Sequence, residues 1–218
     1  MPARILDTDS AILQRKTTKV LAADEFSCSD LGTVLHELLA LAGMAPFHRA
    51  CDDTHRSGND SIGIEPWRCH VLDATTCRKL RSKVPQENAG KIPSMLSAAD
   101  ALIMTTWLPN PSSGFQVTEQ AQFEPSLANM EHIAAVAAAI QNLLLAATAR
   151  GIDSYWSSGG ILRSEAVFDM LGISKNEILL GAVFLFPEQT GDAEVVGSKL
   201  RERRTSPDRW SRFVRMDE

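Results

Sequence analysis

Apolar residues spaced three or four positions apart predict two long helices and several short ones. Between Ser29 and Gly43 seven apolar residues follow this spacing, with Ser29 and Asp30 as candidate caps and Gly43 at the end. Leu127 to Arg150 is predicted as the longest helix, with Asn129 as its cap and Arg150 and Gly151 at its end. Two shorter helices are expected, one over 10–14 and one that Ser164 caps and that ends at Leu171.

Short apolar runs predict the strands. Cys69–Leu72 is one, and Asp73 after it is a good cap for a helix through Lys83, on which Arg78 is expected to be solvated. Two further runs are apolar without alternation and are therefore predicted to be buried on both faces, namely Ala101–Trp107 and Ile178–Phe186. Residues 152–156 are expected to be extended, and 157–160 to form a loop.

The predicted helix over 127–150 is apolar almost all round and contains eight alanines between positions 134 and 149, at 134, 135, 137, 138, 139, 146, 147 and 149. Such a helix belongs in a core or at a subunit interface, and this feature alone favours neither. Its most apolar stretch is interrupted by Gln141, Asn142 and Thr148 and falls short of the roughly 20 apolar residues that span a bilayer. We expect no membrane contact.

Length, charge and cysteine content indicate the number of domains, the kind of partner and the cellular location that we expect. A chain of 218 residues fits one domain, 1–218, with two long loops over 49–64 and 109–125. Its 22 basic and 27 acidic residues give a net charge of −5, which argues against a nucleic-acid partner. The N-terminus lacks the apolar region of a signal peptide, and the four cysteines form no CxxC pair, so we expect reduced thiols in the cytoplasm.

One polar segment contains side chains that can bind zinc: His48, Cys51, Asp52, Asp53, His55 and Asp60 lie within 13 residues. No regular element holds two of them in a fixed i,i+4 arrangement. A solvated loop is the favoured interpretation, and a metal-dependent hydrolase stays as an alternative.

Two clusters of cations are the stronger signal. Residues 15–19 read Arg-Lys-Thr-Thr-Lys, and 199–205 contain four cations in seven residues. Each cluster alone is typical of a solvated surface. The sequence lacks the GxSxG, Walker, HExxH and GxGxxG motifs. Two cation clusters in an acidic chain therefore indicate that both bind one phosphate of a cofactor.

Taken in order, these segments resemble the FMN-dependent nitroreductase family over nearly the whole chain. Residues 15–19 are similar to its N-terminal Arg-Arg-Ser-x-Arg signature, 42–46 to the end of its second helix, and 65–68 to its Gln-Pro-Trp-Arg. Residues 139–147 and 151–156 resemble its Ala-rich dimer helix and the strand beyond it. Residues 158–161 resemble the flavin-facing loop, and 201–204 the C-terminal phosphate-binding cations.

The resemblance implies an α+β fold, with a central, mainly antiparallel sheet flanked by helices, in an intertwined homodimer with FMN at two interface sites. Hydride would pass from NAD(P)H through the flavin to a nitroaromatic or quinone-type acceptor by a ping-pong mechanism. No residue is assigned as general acid or base. The implied cofactor-binding residues are Arg15, Lys16, Thr17, Lys19, Pro46, Phe47, Glu65, Asn142, Ser158, Gly159, Gly160, Arg201, Arg203 and Arg204.

The chain also departs from the family pattern. Nineteen residues separate Pro46 from Pro66, where the family has a short loop with a flavin-contacting Asn, and Glu65 replaces a Gln. Lys16 and Lys19 replace arginines and so keep the charge but lose bidentate geometry. Candidates for the missing contact are His48, Asn59 and Ser61. Two alternatives therefore stay open: a flavin enzyme of the same fold with dehalogenating, dehydrogenating or flavin-fragmenting chemistry, and a flavin-free binding or regulatory protein.

Overall fold

The computed structural model describes residues 5–25, 31–56, 63–85, 87, 89–111, 116 and 122–216. Within these ranges the chain forms six α-helices and six β-strands. The helices are α1 (Thr8–Gln14), α2 (Gly32–Ala42), α3 (Ala74–Lys83), α4 (Ile92–Ala98), α5 (Leu127–Ala149) and α6 (Glu165–Leu171). The strands are β1 (Thr18–Leu21), β2 (Trp67–Asp73), β3 (Ala101–Trp107), β4 (Asp153–Ser157), β5 (Ile178–Phe186) and β6 (Glu194–Gly197).

Four strands form the main sheet in the order β2-β3-β5-β4, and every neighbouring pair is antiparallel. The two central strands, β3 and β5, have the predicted bounds. Every residue of β3 is buried, and so are most residues of β5, because helices cover both faces of the sheet. The predicted α+β class with a mainly antiparallel sheet flanked by helices is confirmed.

Alternation along β3 divides the core into two layers. Leu102 and Met104 point to one face, where they pack with residues of α3, α4 and α6. Ala101 and Ile103 point to the other face, where they pack with residues of α2 and α5. The sheet is therefore the middle layer of three.

A second sheet of two short strands, β1 and β6, joins the two ends of the chain. The strands are antiparallel, with Thr18 opposite Gly197 and Leu21 opposite Glu194. The sequence pattern predicts neither strand, because four residues are too few for a clear alternation. Their pairing places the residues just before β1 beside those just after β6.

The ends of α2 and α5 differ from the prediction. Leu31 precedes α2 and gives it no side-chain cap, while Ser29 and Asp30 lie outside the described residues. Ser126, not Asn129, caps α5, since its hydroxyl accepts a hydrogen bond from the Asn129 amide. A capping residue must have extended backbone just before the first turn, as Ser126 has, whereas Asn129 is already helical.

Arg78 is not solvated, contrary to the prediction. Its guanidinium donates hydrogen bonds to the carbonyl oxygens of Leu96, at 2.9 Å, and Ala99. Arg78 therefore ties α3 to the end of α4. The sequence pattern does not predict α4, because this helix has only seven residues and is buried on nearly all sides, so it shows no amphipathic period.

Helix α5 is long and apolar enough to cross a membrane by length and composition alone, but half of its most apolar window is buried inside the protein. The buried core helix of a folded domain can have the same length and apolar composition. The side that the chain leaves uncovered includes Leu127, Met130 and Ala134, all exposed, and the partly buried Ala138. Helix α5 therefore contributes to the core with one side, while this stripe stays uncovered in the single chain.

Candidate functional site

The two predicted cation clusters meet in space. Arg15 follows α1, and Arg201 begins a short 3₁₀ helix, Arg201–Arg203, after β6. The Arg201 guanidinium donates hydrogen bonds to the carbonyl oxygens of Leu13 and Arg15. Pairing of β1 with β6 thus brings residues 186 positions apart into contact.

Three positive charges lie close together in this cluster. Partial burial lowers the pKa of Arg15 from its ordinary value, and the charges of Arg204 and Arg201 lower it further. Within the described residues, no Asp or Glu forms an ion pair with any of the three arginines. The repulsion between them would be relieved by an anion, and several guanidinium groups together suit a phosphate.

Strand β1 runs beside β4, and side chains join the two strands. The Thr18 hydroxyl donates a hydrogen bond to Oδ1 of Asp153 at 2.9 Å. Further along, Nζ of Lys19 lies 4.6 Å from the centre of the Tyr155 ring, within cation–π range. The beginning of β4 therefore lies near the cations, and its middle lies near Lys19.

Lys16 and Thr17 lie between the arginines and β1. Lys16 is exposed and lines a small cavity of about 310 Å³ together with Asp153 and Ser154. The Ser154 hydroxyl is buried and has no hydrogen-bond partner among the described residues. Asp153, Ser154 and Tyr155 were not singled out by the sequence analysis, since their role depends on the pairing of β1 with β4.

The loop predicted over 157–160 begins one residue later, because Ser157 is the last residue of β4, and Ser158–Gly160 lies at the far end of that strand. Gly159 has a φ of 109° and is buried. A Cβ atom there would lie 2.6 Å from Cδ2 of Leu179 and 3.1 Å from Cγ of Arg163. Arg163 Nε also donates a hydrogen bond to the Ser158 carbonyl oxygen. Glycine is therefore required, and the loop is held from behind by side chains.

The cations and the glycine loop lie at opposite ends of one strand. Five residues at about 3.3 Å per residue place the two ends of β4 roughly 13 Å apart. A long molecule with a phosphate at one end and a flat ring at the other could lie along this strand.

Other predicted site residues lie elsewhere within the chain. Phe47 packs edge-on against Trp67, at 5.6 Å between ring centres, and Glu65 accepts a hydrogen bond from Arg68 through its carbonyl oxygen at 3.0 Å. Both residues flank the start of β2, which is the edge strand opposite β4. Three strand spacings place β2 about 14 Å from β4. A single chain therefore does not bring Pro46, Phe47 and Glu65 to the cations.

Two more predicted residues make few contacts. Asn142 Nδ2 is 3.5 Å from the Leu41 carbonyl oxygen, which links α5 to α2. Arg203 is exposed beside the cluster.

The loop with possible zinc ligands uses several of them for other contacts. His55 Nε2 lies 2.8 Å from the Pro109 carbonyl oxygen, and Asp52 accepts a hydrogen bond from the Thr54 amide at 2.9 Å. His48 is exposed, while Asn59, Asp60 and Ser61 lie outside the described residues. Among the residues that the structure does describe, no three His, Cys, Asp or Glu side chains are grouped to hold a metal.

The buried Arg68 holds the described part of this loop to the sheet. Its guanidinium donates to the carbonyl oxygens of His55 and Gly63 at 3.2 and 3.1 Å. It also donates to the Trp67 carbonyl oxygen at 2.7 Å. The sequence analysis noted Arg68 only as part of a motif, and no local signal indicates that it organises the loop.

Comparisons with known proteins agree with this fold. The model of the Nitroreductase family matches residues 12–185. None of the curated proteins compared with the sequence matches it significantly.

Solved structures of about the same length share the fold. A protein from Staphylococcus epidermidis described as an NAD(P)H:FMN oxidoreductase is 18% identical, with a TM-score of 0.64 over 97% of this chain and 98% of that one. A nitroreductase-like family protein from Bacillus cereus is 20% identical, with a TM-score of 0.58 over 92% and 96%. A nitroreductase with bound FMN from Bacteroides fragilis is 15% identical, with a TM-score of 0.55 over 96% and 100%.

Proposed function

The chain belongs to the nitroreductase family, and from that premise we propose that it is an FMN-dependent oxidoreductase. The proposed reaction takes hydride from NADH or NADPH and reduces a nitroaromatic or quinone-type acceptor. The observation that carries the proposal is the cluster of Arg15, Arg201 and Arg204 at one end of β4, opposite the glycine loop at the other end. Within the described part of the chain, no carboxylate pairs with these arginines.

The cation cluster fits the phosphate of FMN. Arg15, Arg201 and Arg204 supply the charge, and Thr17 can add a hydroxyl donor. The cluster provides one phosphate site, and the sequence has no dinucleotide-binding fingerprint. We therefore propose FMN and not FAD.

The glycine loop fits the flavin ring. Gly159 lets the loop keep a backbone with a φ of 109° packed against Leu179 and Arg163. Gly160 begins a short 3₁₀ helix, so its amide has no partner within that helix. Lys19, beside Tyr155, lies between the ring end and the phosphate end. When bound, FMN supplies the hydride chemistry, while these residues bind it, orient it and exclude water from one face.

A homodimer completes the proposal. Large apolar residues on α1 and α5 and just after α2 stay exposed in the single chain, among them Leu13 at 71%, Met130 at 60% and Met44 at 77%. Apolar surface of this kind marks an interaction site. In a dimer that buries α5, Pro46, Phe47, Glu65 and Asn142 of one chain would face the cofactor of the other.

The first test is the visible spectrum of the purified protein, followed by chromatography of the released cofactor. We expect FMN at about one per chain, a dimer in sedimentation, and parallel double-reciprocal plots with NADH or NADPH and a nitroarene. FAD, or no flavin after reconstitution with excess FMN, would refute the proposal. A stable monomer that keeps FMN would refute the shared site, and activity toward halogenated phenols instead of nitroarenes would favour a same-fold enzyme with other chemistry.

A further inference from the structure

A second, larger cavity of about 670 Å³ lies behind the glycine loop, on the side away from the cation cluster. It opens where the segments next to β3 and α5 meet α6 and the start of β5. Its volume is in the usual range for sites that bind small molecules. We propose that this cavity binds a small aromatic carboxylic acid that also carries a hydroxyl or amino group.

The walls of the cavity suit an aromatic ring. Phe123, Phe168, Ile178 and Leu179 all line it. Phe123 is held edge-on against the Trp107 ring at 4.8 Å between centres. Flat apolar ligands bury surface well between such side chains, and aromatic pairs add a further contribution.

Arg163 can bind the carboxylate. Its Nε is used by the Ser158 carbonyl oxygen, and its two Nη atoms have no hydrogen-bond or ion-pair partner among the described residues. The neighbouring Glu165 is 3.6 Å from Lys175 Nζ and is thus partly neutralised. A guanidinium with two free parallel N–H groups matches the two oxygens of a carboxylate.

Glu177 can accept a hydrogen bond from the second group of the ligand. Its Oε2 accepts a hydrogen bond from the Thr106 hydroxyl and lies 2.8 Å from Nε2 of His70. The side chain is only 11% exposed, and Oε1 has no partner among the described residues. Burial by itself raises the pKa of Glu177, but the hydrogen bonds from His70 and Thr106 lower it below its ordinary value. The carboxylate therefore stays ionised and positioned, with one oxygen left to accept from a hydroxyl or amino group.

Among the charged residues that line the cavity, Arg163 and Glu177 are the two that we assign to the polar groups of the ligand. Arg163 favours ligands that carry an anion, because a carboxylate forms charge-assisted hydrogen bonds with its two Nη atoms and an uncharged group does not. Glu177 disfavours a plain aromatic acid, since its free oxygen would be covered without a donor. Neither residue belongs to the proposed flavin phosphate site, so the inference does not rest on the proposed function.

Isothermal titration calorimetry of the purified protein with 4-hydroxybenzoate, benzoate and 4-hydroxybenzyl alcohol tests the proposal. We expect 4-hydroxybenzoate to bind on the order of ten-fold more tightly than the alcohol, which lacks the carboxylate, and roughly three- to ten-fold more tightly than benzoate. No heat from 4-hydroxybenzoate at millimolar concentration would overturn the inference.

Two variants assign the contacts, with Lys83→Gln on the exposed side of α3 as the matched control. Arg163→Gln should weaken both acids and leave the alcohol unchanged, while Glu177→Gln should remove the preference for 4-hydroxybenzoate over benzoate. Arg163→Lys, which keeps the charge but not the paired N–H groups, should bind 4-hydroxybenzoate with intermediate affinity and guards against a folding defect in Arg163→Gln. Equal binding by Arg163→Gln, Arg163→Lys and Lys83→Gln would overturn the inference. So would competition of 4-hydroxybenzoate with a nicotinamide, because the acid would then lie over the flavin and not in this cavity.

Discussion

Replacing Arg15 by glutamine should change two properties in opposite directions. The loss of one charge-assisted contact to the phosphate should cost about 1.5–3 kcal/mol, and so weaken FMN binding roughly ten- to a hundred-fold. The flavin-free protein should become slightly more stable, by about 0.5 kcal/mol, because Arg15 lies beside the like charges of Arg204 and Arg201. The Arg15 amide and carbonyl, which bond to Ala11 and Arg201, are unchanged by the substitution.

Arg201→Gln provides the contrast. Its guanidinium holds the carbonyl oxygens of Leu13 and Arg15, so this variant loses structural hydrogen bonds as well as a cation. It should weaken FMN binding and also destabilise the flavin-free protein by about 1 kcal/mol or more. The two arginines are therefore distinguished by the sign of the change in stability.

FMN fluorescence quenching measures the affinity, and urea unfolding of the flavin-free protein measures the stability. Lys83→Gln, exposed on α3, is the control and should leave both unchanged. Arg78 cannot serve as a control because it anchors α4. If Arg15→Gln bound FMN as tightly as the control, or destabilised the flavin-free protein as much as Arg201→Gln, the assigned role of Arg15 would be wrong.

Three further predictions concern the loop, the interface and the buried acid. Gly159→Ala should lower the melting temperature by several degrees more than Gly172→Ala. Both glycines have a positive φ, of 109° and 67°, but only at Gly159 would the new Cβ lie 2.6 Å from Leu179. Equal losses in melting temperature would show that this contact is relieved at no cost. Ala138→Glu should place a charge in the proposed dimer interface and yield monomer without flavin in sedimentation, whereas a variant dimer with FMN would move the interface away from α5. Glu177→Gln should cost stability at pH 7, because hydrogen bonds from His70 and Thr106 lower the pKa of Glu177 in the folded state. That difference should be full above the ordinary value of 4.5 and shrink as the pH falls below it. A difference in urea midpoint that does not vary with pH would contradict the stabilisation of the ionised carboxylate.

Local patterns were sufficient to locate the elements with a strong signal of their own. The strands β3 and β5 have their predicted bounds, since short, mainly apolar runs without alternation are typical of strands that are buried on both faces of a sheet. Asp73 and Ser164 cap the helices that follow them, because a cap bonds to amides two or three residues away. The cations and the glycine loop were also identifiable, as residue type and spacing indicate their chemistry.

The tertiary structure decided which of these residues meet. Arg15 and Arg201 come together only through the pairing of β1 with β6, strands too short to be recognised locally. The prediction that Arg78 is solvated is wrong for a similar reason. Only the packing of α3 against α4 brings the Arg78 guanidinium to the carbonyl oxygens at the end of α4.

The cavity behind the glycine loop shows the limit most clearly. Glu177 and His70 are 107 residues apart, and nothing near either one in the chain indicates that they form a pair. Hydrophobic periods, caps and charge runs are properties of neighbouring residues, so the sequence by itself determines them. Contacts between distant side chains depend on how the sheet and helices pack, and therefore only the folded chain decides which charges are neutralised and which stay available to a ligand.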